Sequence, residues 1–245
     1  MDPLDAVLKI DEELEAVEDP LLREKPPSQM PLVKEFREKR PLPPPAGLNA
    51  PLIQILQQRR SRRVYNPFKP LTLQQLSNIL FAAAGVTARV DGIYSMLDYP
   101  LRASPSAGGL HCVDLYVAAY GVEGLEPGVY YYDYLGHSLG VVCSPCYPHT
   151  LSESFIQGEF KNAPLAIFLV GVLKRGLWKY GKAFYKFCHV DAGAVAEHIH
   201  LAATAEGLAS VLVAGFNRKA VAKSLGLERG EVPILAVVVG HGVRA

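Results

Sequence analysis

Two uninterrupted apolar runs near the end of the chain most constrain what it can fold into. Residues 163–173 read APLAIFLVGVL and residues 232–240 read VPILAVVVG, and neither run contains a charged residue. A strand with one face in solvent alternates apolar and polar residues, so these runs predict strands that are buried on both faces. The chain is therefore expected to build a sheet with a further layer on each side.

Other segments predict the remaining strands. Residues 113–122 (VDLYVAAYGV) and the run ASVLVAGF each read as a strand, and GVYYYD and SLGVV flank YLGH as a hairpin candidate. The stretch 86–112 is rich in Gly, Ser and Pro and is predicted to be irregular. We therefore expect the strands to be concentrated after residue 112.

Helices are predicted in blocks rather than in regular alternation with strands. Apolar spacing indicates helices in PLIQILQQRR, in TLQQLSNILFAAAG, over 191–208 (DAGAVAEHIHLAATAEGL) and in NRKAVAKSLGL. Thr72 and Gln75 have the spacing of a capping box, and Gly85 is a suitable C-cap. This grouping indicates an α+β layer fold.

The N-terminal part is expected to differ from the rest. Residues 3–18 predict a short amphipathic helix, and the proline-rich stretch 26–51 predicts an extended arm rather than a core element. The arm is expected to wrap over the body or over a partner; a disordered arm is the alternative. The predicted division is therefore a helix and arm over 1–50 and one domain over 51–245.

Composition excludes several function classes. The formal net charge is +1 and no apolar run approaches about 20 residues, so no global charge favours nucleic acid and no segment predicts a membrane span. The first residues are acidic and lack the apolar region of a signal peptide, so a cytoplasmic location is expected.

The four cysteines do not predict a disulfide framework. His137, Cys143, Cys146 and His149 carry side chains that suit tetrahedral zinc, but their spacing is not a standard one. Unpaired thiols are therefore favoured, with zinc as the alternative. Packing or surface roles are expected for His111, Cys112, Cys188, His189 and His200, and His198 is a weak site candidate.

A run of cations offers a phosphate site. The two usual glycine-rich nucleotide motifs are absent, so a nucleotide-like cofactor must be held in another way. Arg59, Arg60, Ser61 and Arg63 combine guanidinium groups, which bind phosphate oxygens in pairs, with a neutral hydroxyl. The alternative is a solvated basic patch that suits the C-terminal dipole of a helix.

Two small-residue segments could approach a planar ligand. The first contains Pro105, Ser106, Ala107 and Gly108, and the second contains Val213, Ala214 and Gly215. Small residues let the backbone come close to a flat ring, and serine adds a hydrogen-bonding group. Taken singly, each is also explained as an ordinary loop or strand-to-helix turn.

Together, these segments resemble the nitroreductase superfamily in order and spacing. RRSRRVYNPFKP, RASPSAGGLHCVDLYVAAYG, WKYGKAFYKF, DAGAVAEHIHLAATAEGL and VPILAVVVG carry the resemblance, which extends over residues 26–241. The chain looks closest to the SagB-type branch, the thiazole- and oxazole-forming peptide dehydrogenases. The resemblance implies an α+β fold with an antiparallel or mixed central sheet flanked by helices, and an intertwined homodimer that binds FMN in its interface.

The resemblance also implies roles for particular residues. Arg59, Ser61 and Arg63, with Arg60 between them, match phosphate- and ribityl-binding positions. The segment 105–108 matches a loop that reaches the flavin from the other subunit, and 213–215 matches the segment beside flavin N5. The helix 191–208 is expected at the dimer core. Glu197-His198 replaces a usual amide pair, Ala214 replaces a frequent acidic residue, and Arg244 alone stands where the family carries a basic pair.

Lys179 and Tyr180 match a Lys-Tyr pair that is linked to catalysis in the azoline-oxidising branch. Oxidation of an azoline removes a hydride and a proton, and an ammonium favours the ionised form of a neighbouring phenol that could take the proton. Adjacent residues diverge in a helix or strand, so the two can share a site only in a turn or from different sides. A solvent-reaching Lys and a packed Tyr are the alternative.

The expected function is FMN-dependent oxidoreduction by a ping-pong cycle through flavin N5. The substrate is either an azoline in a modified peptide, with oxygen as the final acceptor, or a nitro or quinone compound, with NAD(P)H as a transient donor. The alternative is a non-catalytic flavin-binding or scaffold subunit of a peptide-modifying complex. The implied partners are a second copy of the chain and a small-molecule or modified-peptide substrate, with no metal, nucleic acid or membrane.

Overall fold

The computed structural model describes residues 3–15, 32–146, 149–161 and 163–243. The strands in this part of the chain are β1 (Lys39–Pro41), β2 (Val86–Val90), β3 (Tyr99–Arg102), β4 (Val113–Ala119), β5 (Gly128–Asp133), β6 (Ser138–Cys143), β7 (Leu165–Val172), β8 (Ala209–Val213) and β9 (Glu231–Gly240). Seven of them form one sheet in the order β1-β6-β5-β4-β7-β9-β8, and every neighbouring pair is antiparallel. β2 and β3 form a separate antiparallel pair.

The α-helices of the described residues surround this sheet. They are α1 (Pro3–Glu15), α2 (Leu52–Gln58), α3 (Leu73–Ala84), α4 (His149–Ser152), α5 (Leu177–Tyr180), α6 (Phe184–Ala205) and α7 (Arg218–Ser224). Short 3₁₀ turns connect some of them. None of the helices in the described ranges is both long enough and apolar enough to cross a bilayer.

The centre of the sheet is buried on both faces. Every residue of β7 is buried, and its neighbours β4 and β9 are largely buried as well. One apolar cluster joins one face of the sheet to α3 and α6, and a second joins the other face to α7 and to Phe155 and Phe216. The predicted two-sided burial and the α+β class are therefore confirmed.

The helix α6 is the longest element and begins earlier than predicted. Its first residue is Phe184, whereas the alanine-rich pattern predicted a start at residue 191. The preceding turn ends at Gly181, whose positive φ of 55° separates it from α6. Aromatic residues of weak helix propensity fill the first turn, where packing rather than propensity supports the helix.

A hairpin occupies part of the stretch that was predicted to be irregular. β2 and β3 pair through Val90 and Tyr99, so the prediction of irregular backbone over 86–112 is wrong for these strands. Gly92, Tyr94 and Ser95 adopt positive φ in the connection. Turn-forming residues at the tip concealed two strands that are only five and four residues long.

The described part of the proline-rich arm, residues 32–51, packs against the body. β1 adds to the sheet beside β6, and the Phe36 ring stacks on Tyr131 with centroids 5.2 Å apart. This part of the arm wraps over the body, as one of the predicted alternatives has it, but Leu42 is buried in the core, so the expectation that the arm is not a core element is wrong at this residue. Residues 16–18 of the predicted first helix and residues 26–31 of the arm lie outside the described residues.

Candidate active site

The arginine-rich segment, which we define as residues 59–63, runs from the end of α2 along β8. Ser61 forms a parallel bridge with Ser210, and the Arg62 amide donates to the Ser210 carbonyl at 3.0 Å. Extended pairing turns successive side chains to opposite sides. Arg60, Ser61 and Arg63 are exposed, and the Arg59 side chain is partly buried.

His200 supports Arg59 from α6. The Arg59 Nη1 lies 2.9 Å from His200 Nε2, and His200 Nδ1 lies 2.5 Å from the Ser210 hydroxyl. A guanidinium only donates, so Nε2 accepts and Nδ1 carries the proton that is donated to Ser210. Burial, with the Arg59 cation second, lowers the pKa of His200 to about 4. A neutral histidine therefore positions Arg59 without cancelling its charge.

The positive charge of the segment is scarcely compensated. Among the described residues, the carboxylate nearest to these arginines is Glu197, whose Oε1 lies 4.0 Å from Arg59 Nε. Arg60 turns back to the carbonyls of Gln57 and Arg59. Guanidinium groups held beside an exposed serine hydroxyl suit the doubly charged phosphate of FMN, so the residues present fit that group.

The Gly108 loop, which we define as residues 103–110, rests on the buried Asp191 of α6. The Ser106 hydroxyl donates to Asp191 Oδ2 at 2.6 Å, and the Ala107 amide donates to Oδ1 at 3.1 Å. The Ser106 hydroxyl also accepts from the amide of His111 at 2.8 Å. Pro105 and Gly108 remain exposed. The loop thus exposes Pro105 and Gly108 to solvent, while the Asp191 carboxylate holds Ser106 and Ala107.

Lys179 and Tyr180 reach this loop from α5. A Cβ built on Gly108 would lie 2.5 Å from the Tyr180 hydroxyl oxygen and 2.7 Å from Lys179 Nζ, closer than side chains come in real proteins. A side chain here would have to displace the ends of Lys179 and Tyr180, and the positive φ of 60° also favours glycine. α5 is a single turn that ends at Gly181, so the side chains of Lys179 and Tyr180 can both reach Gly108. From the sequence, the two residues were expected to share a site only in a turn or from different sides.

Lys179 is held as a cation. Among the described residues, no carboxylate lies within 4.0 Å of its Nζ, which instead donates to the Tyr94 hydroxyl at 2.8 Å. Partial burial by itself lowers the pKa of Lys179, but hydrogen bonds to Tyr94 and Tyr180 outweigh that effect and raise it. The site therefore combines an ammonium with two phenol groups.

A buried ion pair fixes the approach to α5. Arg175, two residues before this helix, binds Asp114 of β4 through both carboxylate oxygens at 2.6 and 2.9 Å. It also donates to the carbonyls of His111 and Leu32. Burial, then the Arg102 and Arg175 cations, lowers the pKa of His111 to about 3. The end of the Gly108 loop and the start of α5 thereby share one anchor.

The third predicted segment follows β8. Val213 is buried, Ala214 is exposed, and a Cβ on Gly215 would meet only the exposed side chain of Ile156, at 3.7 Å or beyond. Ser210, beside the arginine-rich segment, precedes Val213 by three residues, or about 10 Å of strand. Arg244 lies outside the described residues.

The two halves of the candidate site lie at different heights on α6. Asp191, which holds the Gly108 loop, precedes His200, which holds Arg59, by nine residues. At 1.5 Å per residue this places the two supports about 14 Å apart along the helix axis. The supports of the phosphate-binding candidates and of the Gly108 loop are therefore separate points on one helix.

Several predicted or neglected residues take other places. His198 binds the Ala82 carbonyl of α3 at 2.9 Å, which is a packing role. His200 and Asp191 were missed as supporting residues, although an acid on the apolar stripe of a helix is a usable signal. Tyr94 was missed because nothing in the hairpin sequence distinguishes it.

The predicted unpaired thiols are wrong for two cysteines. Cys143 and Cys146 form a disulfide, with Cα atoms 5.9 Å apart, where the chain turns at the end of β6. The His137 side chain hydrogen-bonds with Tyr132 and Ser77 and not with Cys143 or Cys146. In the ranges that the structure describes, no three His, Cys, Asp or Glu side chains are grouped to hold a metal. Cys112 and Cys188 are free and buried, as expected.

Comparisons with known proteins agree with this fold. The model of the Nitroreductase family matches residues 56–241. A provisionally named nitroreductase of Methanocaldococcus jannaschii is 32% identical over 193 residues, 78% of this chain and 91% of that protein. A solved structure from Ralstonia eutropha, also provisionally named a nitroreductase, superposes with a TM-score of 0.67 at 28% identity, covering 87% of this chain and 93% of that one.

A more distant structure shares the fold over the whole chain. It is a chain of the Escherichia coli microcin synthetase McbBCD complex with truncated pro-MccB17 bound. The TM-score is 0.63 at 20% identity, covering 100% of this chain and 95% of that one. At this identity the likeness concerns the fold alone.

Proposed function

Since this chain belongs to the nitroreductase family, we propose that it is an FMN-dependent dehydrogenase of the SagB type, working as a homodimer on an azoline ring in a modified peptide. The observation that carries the proposal is the convergence of Lys179 Nζ and the Tyr180 hydroxyl on Gly108. A reductase needs only an open flavin face, whereas removal of a proton from carbon needs a positioned acceptor.

The chain offers residues for each part of the cofactor. Arg59 and Arg63, with Ser61, would hold the phosphate, and Gly215 would leave room for the ring. The supports of the two halves, Asp191 and His200, lie about 14 Å apart along α6 in one chain, and the family resemblance implies that a second subunit completes the site. When bound, FMN supplies the acceptor for the hydride that leaves the substrate.

Side chains of this protein must accept the proton that leaves the substrate. Lys179 is held protonated by its hydrogen bonds to Tyr94 and Tyr180, so it cannot itself accept the proton. We assign that role to Tyr180, whose phenolate oxygen takes the proton from the carbon next to the one that loses the hydride and becomes a neutral phenol. The Lys179 ammonium stabilises the negative charge of the phenolate before it takes the proton. The azoline thereby loses one hydride and one proton and becomes an azole.

The competing activity is reduction of nitro or quinone compounds with NAD(P)H. The names of the Methanocaldococcus and Ralstonia relatives favour it. The fold shared with a chain of a peptide-modifying complex favours the dehydrogenase. The two activities differ in which compound reduces the flavin: the azoline substrate for the dehydrogenase and NAD(P)H for the reductase. Reduction of the flavin by each compound can be measured directly.

The test replaces Lys179 with Gln and Tyr180 with Phe in the dimer purified with FMN. Each variant should oxidise an azoline-containing peptide in the presence of oxygen with a kcat lower by about 10²–10⁴-fold, the usual contribution of general acid–base groups. Both should keep their flavin absorbance. Lys182→Gln, at an exposed lysine in the next turn, is the matched control and should retain full activity.

Three outcomes would contradict the proposal. Unchanged turnover in both variants would remove the assigned roles, and rapid bleaching of the flavin by NADPH would favour the reductase. A yellow dimer that no donor reduces and no acceptor oxidises would favour a non-catalytic subunit.

A further inference from the structure

Tyr94 lies at the tip of the β2–β3 hairpin, between Lys179 and the Gly108 loop. Its hydroxyl donates to the Gly108 carbonyl at 2.5 Å and accepts from Lys179 Nζ at 2.8 Å. The ring packs edge-on against Trp178, with centroids 5.4 Å apart. One phenol group thus joins three elements: the hairpin, the Gly108 loop and α5.

The direction of the two hydrogen bonds is fixed by their partners. A carbonyl only accepts, so the Tyr94 proton points to Gly108, and the phenol oxygen is left to accept from Lys179. An ammonium is the form of lysine that donates most strongly, and hydrogen bonds that involve an ionised group are about twice as strong as neutral ones. The arrangement therefore favours charged Lys179 in one fixed place.

The hairpin tip is built to hold Tyr94 there. Tyr94 and Ser95 have φ values of 51° and 59°, a left-handed conformation that non-glycine residues seldom adopt. Tyr99 of β3 packs edge-on against the Tyr94 ring at 5.9 Å and donates its own hydroxyl to the Gly109 carbonyl at 2.7 Å. Two tyrosines of one hairpin therefore bind two successive carbonyls of the Gly108 loop.

We propose that Tyr94 is a positioning residue for the reaction, holding the Lys179 ammonium beside Tyr180 and fixing the hairpin over the Gly108 loop. The inference rests on the proposed function, because it assigns Tyr94 a role through Lys179. It adds a residue outside the Lys179–Tyr180 pair and makes the β2–β3 hairpin part of the site.

The groups that face Lys179 make the proposal measurable. Tyr94 faces it from the hairpin and Tyr180 from its own turn, with rings centred 5.0 and 4.9 Å from Nζ. Among the described residues, no acidic side chain comes within 4.0 Å of Nζ. Loss of the Tyr94 hydroxyl removes a hydrogen bond that raises the pKa of Lys179, so that pKa should fall.

The experiment measures acetylation of Lys179 by acetic anhydride in Tyr94→Phe, using the FMN-loaded dimer and mass spectrometry from pH 7 to pH 11. Lys182, exposed three residues later, is the internal reference. Only neutral lysine reacts, so the labelling midpoint should move to lower pH and labelling at each pH below the midpoint should rise. Tyr120→Phe is the matched control, because the Tyr120 hydroxyl is buried and has no hydrogen-bond partner among the residues that the structure describes.

The shape of the pH curve separates the outcomes. A midpoint that moves down in Tyr94→Phe and stays in Tyr120→Phe supports the proposal. An unchanged curve, or a rise by the same factor at every pH, overturns it, because a uniform rise means only that the hairpin has opened. Acetylation is measured without a substrate. The role of Tyr94 in holding Lys179 can therefore be supported or overturned even if the protein does not oxidise azolines.

A kinetic cycle tests the link to the reaction. Tyr94→Phe should lower kcat on the azoline peptide about tenfold in the native background and have no further effect in a Lys179→Gln background. Independent, multiplicative effects of the two substitutions would overturn the claim that Tyr94 acts through Lys179.

Discussion

Arg59 and His200 show how a buried neutral group can serve a charged ligand. A carboxylate in the place of His200 would neutralise Arg59 and weaken its attraction for phosphate. The imidazole, held neutral by burial and by the arginine itself, fixes the guanidinium and leaves its charge available. The same arrangement recurs around Lys179, where phenol oxygens rather than carboxylates hold the cation.

Replacement of both Arg59 and Arg63 with Ala should release FMN. Hydrogen bonds to charged groups contribute about 1.5–3 kcal/mol each, so the double variant should lose affinity by at least two orders of magnitude. Fluorescence titration with FMN measures the change. Alanine at Arg37 and Arg229, two exposed arginines outside the candidate site, should leave affinity unchanged; full retention of flavin by the Arg59/Arg63 variant would place the phosphate elsewhere.

For single residues, the sequence indicates which residue types could form the candidate site, but it does not indicate which side chains contact one another. The arginine-rich segment, the Gly108 loop and the Lys179–Tyr180 pair could be selected from the sequence. Tyr94 could not, because its role depends on a hairpin whose short strands carry a weak pattern. His200 was expected to pack, and its contact with Arg59 depends on how α2 and α6 meet.

At the scale of elements, α6 is the support of the candidate site. Its apolar stripe, formed by Cys188, Ala192, Val195 and Ile199, is buried against the sheet and α3. Asp191 interrupts that stripe with a charge, which is costly unless hydrogen bonds compensate for it. The Gly108 loop supplies them, so the helix can keep a buried carboxylate only while the loop stays in place.

Asp191→Asn should therefore destabilise the fold as well as the loop. Its carboxylate accepts from Ser106, from the Ala107 amide and from the Cys112 thiol. An amide nitrogen faces at least one of these donors, so the free energy of unfolding should fall by about 1.5–3 kcal/mol in urea titrations. Asp11→Asn, which breaks an exposed pair with Lys186, should change it by less than about 1 kcal/mol. Equal effects would mean that Asp191 has no special role.

Element prediction from the sequence was good where burial is complete and weaker at boundaries. β7 and β9 were predicted from unbroken apolar runs, and the α3 capping box was predicted and is present. The early start of α6 was missed because its first turn is stabilised by packing against the body. The hairpin was missed because its two strands have only five and four residues and are joined by a connection rich in turn-forming residues.

At the scale of the whole molecule, an apolar surface adjoins the arginine-rich segment. Leu52, Ile53 and Leu56 of α2 are 62%, 61% and 48% exposed, and Val64 and Phe68 are 66% and 93% exposed. Exposed apolar clusters of this kind usually mark interfaces. The family resemblance and this surface both lead us to expect a homodimer in which α2 is covered.

Ile53→Asp together with Leu56→Asp should convert the dimer to a monomer with weak FMN binding. A carboxylate cannot be buried in an apolar interface without a partner, so association should fail. Light scattering after size exclusion should show the mass of one chain instead of two. Val7→Asp with Leu8→Asp on α1, which are similarly exposed, serve as controls; a dimer that persists in the α2 variant would locate the interface elsewhere.

The edge strand β1 bears on how the protein behaves at high concentration. Open sheet edges recruit strands from other molecules and start aggregation. β6 would present such an edge, but β1 covers it with three residues, two of them basic and the third a proline that lacks an amide donor. The polypeptide that precedes the candidate site thus also protects the edge of the sheet on this side, and chains shortened past Pro41 should be prone to precipitate.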